Sequence, residues 1–203
     1  MRMRISMIRQ AAREDRYDAI SMLLHWVTVV LLCVMFGLGW YMVDLPKGSP
    51  ERTWFFALHK SVGLSTALVV FLRLGWRAVH AAPPLPESIL IWQRKLAKAT
   101  HLMLYVFLIV QPLSGYLSSS FTSYATRWWG VPLPQWGWRD AVLNELFTDI
   151  HEASSYVLIG LIVLHVCGTL VHLAGPDKVI FRMLPGFGRS GTRASVHGRP
   201  AAR

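Results

Sequence analysis

Long apolar runs separated by short polar stretches with proline and glycine dominate the chain. Four of them, at about 19–43, 53–79, 99–120 and 146–174, are long enough as α-helices to cross a hydrocarbon core about 30 Å thick. The pattern predicts an all-α integral membrane four-helix bundle over residues 19–174, between a basic N-terminus (1–18) and a basic tail (175–203). The first run is too long for a signal peptide and does not end in small residues, so it is expected to stay as the first span.

The connections are as telling as the spans. Asp44 to Arg52, with Pro46, Gly48 and Pro50, reads as a short turn, and Pro83, Pro84 and Pro86 close the second run. Ser88 to Lys98 places Ile89, Leu90, Trp92 and Leu96 among Arg94, Lys95 and Lys98, as expected of a segment lying on an anionic membrane surface. Pro112 should kink the third span. The longest connection, Phe121 to Asn144, is too broken to span; its Trp128, Trp129, Trp136 and Trp138 suit an interfacial aromatic belt, with a lid over the bundle mouth as the alternative. The last fifteen or so residues are expected to be disordered.

A hydrophobic share of 53% against 16% charged residues fits a membrane protein. The net charge of +10 is a matter of topology: of 21 Lys and Arg, the first and third connections, counting Arg52 and Lys60 at the second span's start, hold only Lys47, Arg52, Lys60, Arg127 and Arg139. By the positive-inside rule both termini face the cytoplasm, and no nucleic-acid-binding module is read from the basic balance. Cys33 and Cys167 lie inside apolar runs and form no CxxC or CxxCH pattern, which argues against a disulfide framework, an iron–sulfur cluster and covalent haem attachment.

Histidines in the apolar runs carry the candidate chemistry. His151 and His165 are fourteen residues apart, within about 40° of the same helical face and about 21 Å apart along the axis. That spacing suits two stacked cofactors, one per leaflet. With the termini inside, His25 shares the inner depth of His165, and His59 shares the outer depth of His151. Two neutral histidines at equal depth on facing helices make a bis-imidazole site, and ligation removes the cost of an unpartnered polar group in the membrane. Ser154, Ser155, Gly168, Thr169, Gly63, Ser21 and Thr28 lie near these histidines and would leave room for a porphyrin edge, although small residues also serve close helix packing. His80, His101 and His172 fall near cytoplasmic span ends and read most simply as interfacial residues; His101 is the best of them for a quinone or haem-propionate contact. His197 is expected to be solvated.

The segments RYDAISMLLHW, LHKSVGL with VFLRLGWR, HLMLYVFLIVQPLSGYL, IHEASSYVLIGLIVLHVCGTLVHL and FRMLPG resemble the bacterial di-haem cytochrome b561 family, in the family's order, over about residues 16–187. The resemblance implies a four-helix protein of the bacterial cytoplasmic (inner) membrane with two non-covalent haem b groups, the inner on His25 and His165, the outer on His59 and His151. It further implies one-electron oxidation of superoxide at the periplasmic face and reduction of ubiquinone. Lys60 and Arg52, with Lys47, would then form a cationic approach for superoxide, unless Lys60 snorkels to headgroups or meets a propionate. Arg73 and Arg77 divide in the same way between topology charges and quinone or propionate contacts. The Trp-rich connection does not follow the family closely. The alternative is a cytochrome b membrane anchor passing electrons from a partner dehydrogenase or hydrogenase to quinone; a histidine-bearing transporter without haem is a third reading.

Overall fold

The computed structural model describes residues 16–84, 86, 88–174 and 179–184. The basic N-terminal residues before Arg16 and the tail with His197, where disorder is expected, lie outside the described residues. Four helices make up the fold: α1 (Ala19–Asp44), α2 (Pro50–Val79), α3 (Ile91–Ser120) and α4 (Ala141–Ala174). A two-stranded hairpin, β1 (Arg127–Trp128) with β2 (Val131–Pro132), lies between α3 and α4, and a single 3₁₀ turn, Val179–Arg182, follows α4. All four helices are long and apolar enough to cross a membrane.

Local chemistry sets the helix ends. Asp18 caps α1, its carboxylate accepting from the Ser21 N–H at 2.9 Å and hydroxyl at 2.6 Å, and also from the Trp76 indole at 3.0 Å, which ties the start of α1 to the end of α2. Ser49 caps α2 with Pro50 at the first helical position. Asp140 accepts from the Val142 and Leu143 N–H groups at the start of α4. The third helix differs from expectation. The amphipathic stretch from Ile91 is continuous with the span, and α3 runs unbroken through Pro112 to Ser120. At 30 residues α3 is about 45 Å long, so it exceeds the hydrocarbon core and its first turns, with exposed Ile91 and Trp92, extend past it.

Burial is inverted relative to a water-soluble bundle. Thr28, Ser61, Thr66, Ser114 and Ser154 are buried between helices, while Leu23, Val30, Leu72 and Val171 are exposed on the outside. Small polar residues let helices approach, and lipid solvates the large apolar ones. Gly63 is a case of this: a Cβ there would stand 3.1 Å from the Met35 Cε of α1, so its smallness serves the α1–α2 packing.

The helices pair as two hairpins, α1 with α2 and α3 with α4, joined by a lighter α2–α3 contact; among the described residues no Cα of α1 comes within 8 Å of one in α4. The small apolar core consists of Val70, Leu108 and Leu158, backed by Leu32, Phe36, Leu74, Leu104, Phe107 and Ile162. At one end the 3₁₀ turn stitches the terminal segments together: the Trp26 indole donates to the Met183 carbonyl at 2.8 Å, the Tyr17 N–H to Arg182 and the Arg182 guanidinium to Pro84. At the other end lie the 45–49 turn and the Trp-rich connection.

Leu158 is 2% exposed, midway along α4. Leu158→Ala should cost about 2–5 kcal/mol through lost contacts and a residual cavity, read as a lower Tm of the detergent-solubilised protein, with Leu23→Ala, on the outer surface, close to wild type.

Candidate functional site

The structure brings the four span histidines into two facing pairs. His25 of α1 and His165 of α4 have ring centroids 6.4 Å apart, and His59 of α2 and His151 of α4 have theirs 6.2 Å apart. Each pair bridges the opening between the two helix hairpins. The rings do not satisfy one another: with centroids more than 6 Å apart, their nitrogens cannot come closer than about 4 Å, outside hydrogen-bond reach. The buried Nδ1 atoms of His25 and His59 have no hydrogen-bond partner.

The pairs are at two depths. On α4 their members are fourteen residues apart, and on α1 Gly39, fourteen residues after His25, faces His59, its position 3.6 Å from the His59 Cε1 for a Cβ built there. Two independent helices therefore give the same separation, about 21 Å by the helical rise. Leu158 lies at the midpoint, and with Val70 and Leu108 forms an apolar layer between the pairs.

The third helix carries none of the four paired histidines, yet it touches both pairs. Near the termini, His101 packs edge-on to His165 with centroids 5.0 Å apart, its Nδ1 2.6 Å from the Ala97 carbonyl. Arg73 lies over the ring of Tyr105, one turn along α3 from His101, at 5.5 Å. Arg77 lies over Tyr17 and donates to the His80 carbonyl at 2.9 Å, and His80 itself stacks on Trp76. These last two residues thus build the helix end.

At the hairpin end, Lys60 turns inward and donates to the Ser119 hydroxyl at 2.6 Å, with buried Thr126 donating to the same oxygen at 2.8 Å. Arg52 donates to the Val43 and Leu45 carbonyls, closing the last turn of α1, and lies over Phe56. The Trp-rich connection folds back onto the bundle. Trp129 and Gly130, both with positive φ (50° and 91°), form the two-residue hairpin turn. The Trp128 and Trp129 indoles both donate to Ser65 at 3.0 Å, and the Trp129 N–H donates to Ser61 at 3.2 Å. Those contacts hold a non-glycine residue in the left-handed region.

Comparison with known proteins agrees with this geometry. Residues 16–186 match the family described as prokaryotic cytochrome b561. The chain belongs to that family. Cytochrome b561 homolog 2 of Escherichia coli K12 is 35% identical over 130 residues, 62% of this chain and 63% of the relative. Cytochrome b561 homolog 1 of the same organism is 24% identical over 176 residues, 84% of this chain and 98% of the relative. The chain is therefore a bacterial membrane electron-transfer protein, and the family implies b-type haem.

The residues of this cytochrome b561 fit that group. A metal–imidazole bond is about 2 Å and a ring nitrogen lies about 1 Å from the ring centre, so two axial imidazoles on one metal place their centroids about 6 Å apart. Both observed separations meet that value. Each pair offers two facing imidazoles, a ligand set that suits a metal whose other positions its own macrocycle fills. The sequence did not single out the Gln111–Gly115 segment around His151, although Gln, Pro, Ser and Gly clustered inside one span were its visible signal.

Ser65→Ala should release both indoles at about 1 kcal/mol per lost bond. The readout is faster tryptic cleavage after Arg127 in the folded protein, with the haem spectrum unchanged.

Proposed function

We propose that this cytochrome b561 is a di-haem electron-transfer protein of the bacterial inner membrane, with both termini cytoplasmic, that oxidises superoxide at the periplasmic side and reduces ubiquinone. The single observation that carries the two-site reading is the pair of imidazole pairs, 6.4 and 6.2 Å across, at depths about 21 Å apart. His25 with His165 would hold the inner haem iron and His59 with His151 the outer one. When bound, each haem supplies a one-electron ferric–ferrous couple.

The chain's own residues supply the rest. Helices α1, α2 and α4 fix the ligating imidazoles, and the Val70–Leu108–Leu158 layer excludes water between them. The reaction balances as two superoxide anions giving up two electrons and leaving as two dioxygen molecules, while one ubiquinone takes both electrons and two protons to become ubiquinol. Lys60, half-buried one residue beyond His59, is the better cation for the superoxide side, because Arg52 is committed to the α1 carbonyls. His101, against the inner pair, and Arg73, over Tyr105 one turn along α3 from it, are better candidates for a quinone or propionate contact than Arg77. The superoxide and ubiquinone assignments rest on the family resemblance together with these placements.

Haem quantitation with reduced-minus-oxidised spectra is the direct test. Wild type should hold two haems per chain; His25→Ala and His165→Ala should each lose the inner one, and His59→Ala and His151→Ala the outer one. Two intact haems in His151→Ala would contradict the assignment. Stopped-flow mixing with superoxide should reduce the wild-type haems, and Lys60→Gln should slow that step several-fold at low ionic strength and less at high salt. No reduction by superoxide, with reduction by a co-purifying redox subunit instead, would favour the membrane-anchor reading.

A further inference from the structure

The four paired histidines are not held alike. The Nδ1 atoms of His25 and His59 are buried without a partner, whereas the His151 Nδ1 lies 2.9 Å from the Gln111 backbone carbonyl and 3.3 Å from the Ser114 hydroxyl. A carbonyl oxygen only accepts. The Ser114 hydroxyl is itself directed back along its helix, 2.8 Å from the Val110 carbonyl, so it turns a lone pair toward the ring. Both neighbours therefore require Nδ1 to carry the hydrogen, which leaves Nε2 of a neutral ring with the coordinating lone pair.

The same segment of α3 also fixes where the ring stands. Gly115 gives the imidazole its space: a Cβ there would stand 3.1 Å from both His151 Cε1 and Nδ1. The Gln111 side chain donates to the His151 carbonyl at 2.9 Å and to the Ser154 hydroxyl at 3.0 Å, which locks α4 against α3 at this level. Carbonyl, hydroxyl, gap and clamp all come from one turn and a half of a helix that contributes no axial ligand.

We propose that Gln111 to Gly115 is a positioning socket for His151, which fixes its tautomer and makes it a stronger electron donor than the unbonded His59, so that the outer haem's midpoint potential is held down selectively. A hydrogen bond from the far ring nitrogen to a carbonyl raises the ligand's donating power and favours the ferric state. The proposal rests on the two-haem reading above.

The test is spectroelectrochemical titration with low-temperature electron paramagnetic resonance on the purified holoprotein. The outer haem is identified as the one that survives in His165→Ala. Gly115→Ala pushes the ring off its acceptor, and Gln111→Leu releases the clamp. Each should shift the outer midpoint upward and alter the outer ferric signal, leaving the inner haem unchanged. Loss of the outer haem alone in Gly115→Ala would also support the socket. Gly39→Ala, where a Cβ meets His59 at an ordinary 3.6 Å, should move neither haem. An unchanged outer midpoint and signal in both socket variants, or equal shifts of both haems, would overturn the proposal. A wild-type protein without two haems would instead overturn the reading beneath it, and is seen before any variant is made.

Discussion

Imidazole has two ring nitrogens, and a hydrocarbon interior offers neither of them water. Four such rings set the terms for this fold. They face one another across the bundle at distances too great for a mutual hydrogen bond and matched to a shared metal, so the helices that carry them must stand apart at those levels and touch elsewhere. The pairing of α1 with α2 and α3 with α4, with the α2–α3 contact alone joining the hairpins closely among the described residues, follows from that requirement. Small residues then hold each hairpin together, and the apolar layer around Leu158 fills the space between the two levels.

The two ends of the molecule solve different problems. At the termini the 3₁₀ turn, the Asp18 cap and the Trp26 and Trp76 indoles stitch three chain segments at the level of the His25–His165 pair, where His101 and Arg73 add polar groups within the span. At the other end the Trp-rich connection is bolted to α2 through Ser61 and Ser65, and it encloses Thr126 against Ser119 and Lys60. Local pairing of this kind turns a broken loop into part of the bundle wall.

Much of this was legible in the chain. Helical periodicity alone puts His151 and His165 on one face, and span direction matches them by depth with His59 and His25, because both depend only on rise and sequence separation. The start of α3 was not legible: charged and apolar residues from Ile91 to Lys98 suit a surface helix as well as the first turns of a long span, and only continuity of backbone hydrogen bonds distinguishes them. The seating of Trp128 and Trp129 on Ser65, 63 and 64 residues away in sequence, is tertiary and leaves no periodic mark. Arg52 looked like a free cation because nothing in sequence shows that its guanidinium closes the end of α1. The socket around His151 went unread for a similar reason: a backbone carbonyl carries no residue identity.

The proposed di-haem function requires two metal centres held at a separation fixed by fourteen helical residues. Pulsed electron paramagnetic resonance on the fully oxidised holoprotein measures that separation directly between the two ferric irons. A single distance of about 20 Å is expected from the helical rise. A lone iron with no dipolar partner, or two irons closer than about half that distance, would contradict it.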